Sequence, residues 1–122
     1  MKFFFSMALP ILPGKTEKWK QFINELNGPR YKEYQDSRKK ANIHENIFFQ
    51  STLFGDLAIF TIEGINPEEA FMQSGLGNDP FTQWFSMQIE DIHGVDITDS
   101  IEIPTAELVT DSEMKKTTTH PH

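Results

Sequence analysis

The residues best suited to chemistry lie on a segment that alternates like a β-strand. Every second residue from His44 falls on one side of an extended chain, and this set includes His44, Phe48, Gln50 and Thr52. Histidine titrates near neutral pH, so His44 is a candidate general base, and Gln50 is a candidate donor to an oxyanion. Because ligand pockets combine apolar walls with a few fixed polar groups, this side predicts a binding or catalytic surface.

These residues also have simpler explanations. His44 fits an exposed residue at a strand start, hydrogen-bonded to a neighbouring loop. Gln50 and Thr52 fit a polar strip that faces solvent or a second subunit. His93, next to Gly94, fits a helix end, where its charged form interacts with unpaired carbonyls and with the negative end of the helix dipole. The residue types alone leave both explanations open.

A second set of candidates follows helical spacing. Tyr31, Tyr34 and Arg38 lie at positions i, i+3 and i+7, and together with Trp84 they are candidates for substrate binding. Arg38 would hold a substrate carboxylate. The alternative is a partly buried helix face whose polar tips stay in water, with Trp84 as an ordinary core residue.

Four strands are predicted from short apolar runs that end at turn residues. They cover residues 3–12, 43–54, 57–63 and 101–109. Gly55-Asp56 is the expected hairpin turn between the second and third strands. Pro104 cannot donate a ladder hydrogen bond, so the last strand is expected at a sheet edge or with a bulge.

Helical spacing fills the intervals between these strands. A helix begins at Thr16, a more polar one follows the Asn27-Gly28-Pro29 break, and a short one begins at Asn66-Pro67. The longest covers residues 79–93, with Asp79 as N-cap, proline at the first helical position and a glycine stop. The order strand, helix, strand, strand, helix, strand predicts an α+β, ferredoxin-like, four-stranded antiparallel sheet with helices on one face.

Both faces of this predicted sheet carry large apolar side chains. Phe48 and Phe54 alternate with Ile47, Phe49 and Leu53 in the second strand, and Leu57 and Ile59 alternate with Ala58, Phe60 and Ile62 in the third. A sheet with one wet face would instead alternate apolar and polar residues. We therefore expect a second copy of the chain to cover the open face in a twofold homodimer.

Composition narrows the classes of function. The 122 residues fit one domain over residues 1–109 and a polar, disordered tail over 110–122. The absence of cysteine removes thiolate chemistry, and a net charge of −7 argues against nucleic acid or an anionic membrane as partner. Pro10 and Pro13 interrupt the apolar N-terminus, so a secretory signal is not expected. We expect a cytoplasmic protein with no metal or other cofactor.

The chain resembles the dimeric α/β-barrel superfamily over residues 2–109. The resemblance rests on the element order and on Phe48-Phe49-Gln50-Ser51-Thr52, Asp79-Pro80-Phe81, Trp84-Phe85 and Ile92-His93-Gly94-Val95-Asp96. It is closest to small single-domain members related to antibiotic-biosynthesis monooxygenases. It implies a homodimeric barrel with a pocket between sheet and helices.

Two functions follow from this resemblance. One is a cofactor-independent monooxygenase or isomerase acting on a small aromatic or hydrophobic molecule, with His44 as the base and Gln50 holding the oxyanion. The other is a non-catalytic dimeric module that binds a small hydrophobic ligand or a protein.

Overall fold

The computed structural model describes residues 2–99 and 104–113. They form three strands and four helices, namely β1 (Phe3–Pro10), α1 (Thr16–Asn27), α2 (Tyr31–Ala41), β2 (His44–Thr52), β3 (Gly55–Gly64), α3 (Pro67–Ser74) and α4 (Pro80–His93). The strands are antiparallel in the order β1-β3-β2. The predicted α+β class is confirmed. None of the four helices is long and apolar enough to cross a membrane.

The predicted fourth strand, residues 101–109, lies partly outside the described residues. The predicted tail, residues 110–122, lies outside them from residue 114 onwards. Residues 104–113 make one ladder contact, an antiparallel bridge between Ser6 and Ala106. The Ala106 amide donates to the Ser6 carbonyl oxygen at 2.8 Å, on the edge of β1 that β3 leaves free. The four-stranded sheet is therefore not seen in the described part of the chain.

The two ends of α4 follow the sequence signals. The Asp79 carboxylate accepts hydrogen bonds from the Thr82 amide at 3.0 Å and from the Thr82 hydroxyl at 2.8 Å. These bonds lower the pKa of the Asp79 carboxyl group, the amide contributing most. Pro80 occupies the first turn, and Gly94 ends the helix at a φ of 74°. The predicted cap, start and stop are confirmed.

The hairpin turn differs from the prediction. It consists of Leu53-Phe54, whereas Gly55 and Asp56 already belong to β3. The Thr52 hydroxyl accepts from the Phe54 amide at 3.0 Å and donates to the Gly55 carbonyl oxygen at 2.7 Å, so the chain reverses earlier. Gly55 has a φ of 125°, a conformation that side chains disfavour. The glycine is therefore required at the position that follows the turn, and it is not part of the turn itself.

All four helices cover one face of the sheet, and the alternation predicted for β3 is confirmed. The side chains of Ala58, Phe60 and Ile62 are fully buried. Each helix contributes a contact on this face: α1 through Trp19 on Phe49, α2 through Arg38 on Glu45, α3 through Phe71 on Phe60, and α4 through His93 on Phe60. Within the described residues no helix lies against the opposite face, and Phe48 there remains 54% exposed.

Candidate functional site

A buried cluster of charged and polar groups joins α2 to the sheet. The side chain of Glu45 is completely enclosed. Its Oε1 accepts from Arg38 Nε at 2.8 Å and from the Tyr34 hydroxyl at 2.8 Å. The Arg38 guanidinium also lies 4.6 Å from the centre of the Phe85 ring, a cation–π distance. The positive charge of Arg38 is therefore balanced inside the protein by the Glu45 carboxylate.

This cluster favours the protonated form of the Tyr34 hydroxyl. Burial is the main reason that the pKa of its hydroxyl is raised far above the ordinary value, and the adjacent Glu45 carboxylate adds to the effect. Tyr34 therefore remains a hydrogen-bond donor throughout the neutral range. It serves the carboxylate as a second donor beside Arg38.

The four predicted substrate-binding residues of the helices do not share one position. Tyr34 and Arg38 point inward to Glu45, whereas Tyr31 is 46% exposed. Trp84 is partly buried, with the Arg30 guanidinium 4.2 Å from the centre of its ring. Arg38 is already paired with a carboxylate of the chain itself. Its predicted role towards a substrate carboxylate stays a prediction.

Sequence reasoning missed Glu45. Its position on β2 has the same parity as Ile47 and Phe49, which places it on the helix-facing side. A carboxylate on that side needs a buried partner. The Tyr34 and Arg38 stripe was the available signal, because it offers two donors along one helix face.

A cleft of ≈ 600 Å³ opens between α2, α3 and the start of α4. Ala41, Ala70, Pro80 and Phe81 supply apolar wall, and the charged lining residues are Glu33, Asp36, Lys40 and Asp79. Glu33 also pairs with Arg30 at 3.3 Å, and Asp36 pairs with Lys32 at 3.2 Å. The cleft therefore has apolar wall residues and a rim with three carboxylates and one lysine, and two of the carboxylates have cations close by.

A second, much smaller void lies next to this cleft. The two share Ser74, Phe81 and Thr82, and the smaller one also touches Arg38 and Ser86. The Ser86 hydroxyl is buried and has no hydrogen-bond partner among the described residues. Buried polar atoms are normally paired with protein or water. This small void therefore borders both the cleft and Arg38 of the buried cluster, and it holds a polar group that lacks a protein partner.

The predicted catalytic residues lie on the opposite side of the sheet. His44 and Gln50 face away from the helices, on the same side as Phe48. His44 Nδ1 is 3.6 Å from Glu63 Oε1. His44 and Gln50 are six positions apart along the strand, which corresponds to about 20 Å. One small molecule cannot touch both side chains within one subunit, and their roles stay predictions.

Thr52 has a local structural role. Its hydroxyl makes both side-chain hydrogen bonds that close the Leu53-Phe54 turn.

The structure thus brings Tyr34 and Arg38 together, and it separates them from His44, Phe48, Gln50 and Thr52. The described residues contain no group of three or more histidine, aspartate or glutamate side chains placed to hold a metal ion.

His93 is buried at the end of α4. Its Nδ1 lies 2.8 Å from the Pro10 carbonyl oxygen, so this nitrogen carries the proton and donates. Nε2 has no partner in the described part of the chain. Burial lowers the pKa of His93 despite the bond to Pro10. Burial therefore favours the neutral form of the ring, whereas the sequence suggested a charged helix cap.

Comparison with known proteins adds no family to these observations. No protein-family model, curated protein or solved structure matches the chain. The resemblance to the dimeric α/β-barrel superfamily stays a prediction. The structure itself gives an α+β chain with a cleft on the helix side and an open sheet face on the other.

We expect the buried cluster to respond non-additively to substitution. Arg38→Met should lower the free energy of unfolding by about 3–5 kcal/mol, because it leaves the buried Glu45 carboxylate without a counter-ion. Replacing all three groups, as in Arg38→Met with Glu45→Leu and Tyr34→Phe, should recover most of that loss. Urea unfolding followed by circular dichroism measures both.

The control is Lys39→Met, at an exposed position on the same helix, which should change stability by no more than about 0.5 kcal/mol. A triple variant less stable than Arg38→Met would show that the carboxylate is not the source of the loss.

We expect His93 to make stability depend on pH. Its pKa is lower in the folded protein than the ordinary value of about 6.5 in the unfolded chain, so the unfolded chain binds the proton more readily. The corresponding stability is fully present above about pH 6.5 and is lost as the pH falls towards the folded pKa. Urea midpoints of wild type and His93→Gln between pH 8 and pH 5 measure it. Parallel curves for the two proteins would contradict this assignment.

Proposed function

We propose that this protein binds a small, mainly apolar molecule in the cleft between α2, α3 and α4, and that it does so as a homodimer. The observation that carries the binding proposal is the cleft itself. Its volume of ≈ 600 Å³ lies within the range of small-molecule sites. Its mixture of apolar walls and a few polar lining residues resembles such sites in composition.

The chemistry of the walls indicates what the ligand should be. Phe81 and the alanines offer apolar contact, whereas the rim carboxylates have cations close by. We therefore expect burial of apolar surface, at roughly 25 cal/mol per Å², to supply most of the affinity. A polar group on the ligand would remain at the rim, near Lys40 or Asp79.

The dimer proposal rests on the open face of the sheet. Phe4 is 61% exposed and Phe48 is 54% exposed on this face. A second copy would cover both. The proposed form is a ferredoxin-like sheet completed by a strand beside β1, with two such sheets facing each other. The order β1-β3-β2 and the bridge from Ala106 to Ser6 support this arrangement.

The monooxygenase or isomerase activity is not part of this proposal. His44 and Gln50 do not line the cleft, and they lie too far apart within one subunit to share a small substrate. A reaction that used them would need a substrate on the open face. The non-catalytic binding module is therefore the function that the geometry supports best.

Filling the cleft should abolish binding of an apolar probe. We expect the neutral dye Nile red to bind wild type saturably, and Ala70→Phe to weaken that binding at least tenfold, about 1.4 kcal/mol, because the larger ring occupies the cleft. A fluorescence titration measures the affinity. Gln83→Phe, which places the same ring at an exposed α4 position that does not line the cleft, should bind as wild type. Equal affinity in all three proteins would overturn the proposed site.

Static light scattering should report twice the subunit mass of 14.1 kDa. Phe48→Lys should shift this mass to that of a single subunit, because a charge on the open face would be buried in the dimer. The control is Gln21→Lys, which makes the same charge change at an exposed position of α1. A folded wild-type protein of single-subunit mass at every concentration would contradict the dimer.

A further inference from the structure

The three carboxylates at the rim of the cleft already have donors within the protein. Glu33 pairs with an arginine at 3.3 Å, and Asp36 pairs with a lysine at 3.2 Å. Both oxygens of Asp79 accept hydrogen bonds from Thr82. A cationic ligand would have to replace these partners, and exposed ion pairs contribute little when one cation is exchanged for another. The rim therefore offers a cation little net gain.

The hydroxyl groups of the lining are also engaged. Ser37 Oγ accepts from the Arg38 guanidinium at 2.9 Å, and the Ser74 hydroxyl donates to the Phe71 carbonyl oxygen at 2.7 Å. Arg38 itself is paired with Glu45. The arginine that the sequence suggested for a substrate carboxylate is therefore occupied, so an acidic ligand in the cleft needs another donor.

Two polar side chains of the lining differ from these. Lys40 on α2 and Gln73 on α3 line the cleft from different helices, and both residues are exposed. Neither side chain makes a hydrogen bond or an ion pair with any residue that the structure describes. The hydrogen bonds from Thr82 are the main cause of the lowered pKa of the Asp79 carboxyl group, and Lys40 is the smallest. The unused hydrogen-bonding capacity of the lining is therefore mainly that of one ammonium group and one amide.

An ammonium group selects for an anionic acceptor. Hydrogen bonds between charged groups are roughly twice as strong as those between neutral groups. The net charge of −7 works against an anion, but at physiological ionic strength the charges of the distant surface are screened beyond about 8 Å. The nearer rim carboxylates are offset by their own partners. A lysine in contact with the ligand is therefore the charge that decides which head group binds.

We propose that the cleft binds an apolar monocarboxylate, whose carboxylate accepts hydrogen bonds from the Lys40 ammonium and the Gln73 amide. The apolar part of the molecule then packs on Phe81 and on the alanines of α2 and α3. This inference rests on the proposed binding function of the cleft, and it adds the chemical class of the head group. It assigns the acid to Lys40, because Arg38 is already paired inside the protein.

Three ligands that share a phenyl ring on a chain of four carbons test the head group. Phenylbutyrate carries a carboxylate, benzylacetone a neutral carbonyl and phenylbutylamine an ammonium group. Each is titrated against Nile red bound to wild type, at neutral pH and physiological salt. We expect phenylbutyrate to displace the dye at a concentration roughly fivefold lower than either of the others, the effect that an exposed charge pair gives. Equal or tighter binding of benzylacetone or phenylbutylamine would overturn the proposal.

Substitution of the two donors tests where the head group binds. Lys40→Met should weaken phenylbutyrate binding roughly fivefold and leave the affinity for Nile red unchanged, which shows that the cleft is intact. Lys39→Met is the matched control, because it removes the same charge at an exposed position of α2 outside the cleft, and it should bind phenylbutyrate as wild type. Gln73→Leu should weaken phenylbutyrate binding by about twofold, whereas Gln83→Leu, outside the cleft, should not.

The outcomes distinguish the head group from the cleft itself. Absence of Nile red binding to wild type would overturn the proposed function and this inference together. Nile red binding without a preference for phenylbutyrate would overturn only the assigned head group. An equal loss of phenylbutyrate affinity in Lys40→Met and Lys39→Met would show that net charge is responsible, and it would overturn the assignment to Lys40.

Discussion

The Glu45 carboxylate inside the domain is the constraint on which the arrangement of the helices depends. A fully enclosed charge is tolerated only beside a partner, so Arg38 and Tyr34 must lie over β2. That requirement fixes the rotation of α2 about its axis, with Arg38 turned inward and Tyr31 outward. The same rotation places Ser37, Lys40 and Ala41 along one side of the cleft. The buried ion pair and the cleft are thus two consequences of one helix position.

The sheet divides the molecule into two regions with different tasks. Its helix-facing side holds the core and Glu45, and its open side holds His44, Phe48 and Gln50. Because neighbouring residues of a strand point to opposite faces, β2 contributes to both regions at once. A shift of the β2 register by one residue would move Glu45 to the open face, leave Arg38 without its carboxylate and bury His44, so the ion pair also helps to specify the register.

The elements with complete local signals were predictable from sequence. Asp79, Pro80 and Gly94 each act within one turn of α4, and the alternation along β3 needs no information beyond period two. The hairpin was misplaced because Gly55 has the positive φ that follows the turn, while the turn itself uses Leu53 and Phe54, residue types more typical of strands. Sequence composition cannot show that the hydroxyl of Thr52 stabilises such a turn.

The candidate site was less predictable because it depends on contacts between distant segments. Tyr34 and Arg38 were recognised as a stripe on one helix. Their partner, Glu45, lies on the next strand, and nothing in the sequence distinguishes it from the other charged residues. The cleft walls come from α2, α3 and α4, whose relative placement no local pattern specifies. The alternation along β2 correctly placed His44 and Gln50 on the same face of the sheet. They do not form one site, because about 20 Å of strand separates them.

The cleft and the open face lie on opposite sides of the sheet, so ligand binding and dimerisation would use separate surfaces. A ligand in the cleft changes the dimer equilibrium only if its affinity differs between the free and the paired subunit. The cleft and the open face share no lining residue, and β2 is the nearest common element through Glu45. Coupling would therefore have to pass through the ion pair to a strand that β3 already holds along its whole length. Because β3 holds β2 in register along its whole length, we expect ligand binding and dimerisation to be independent.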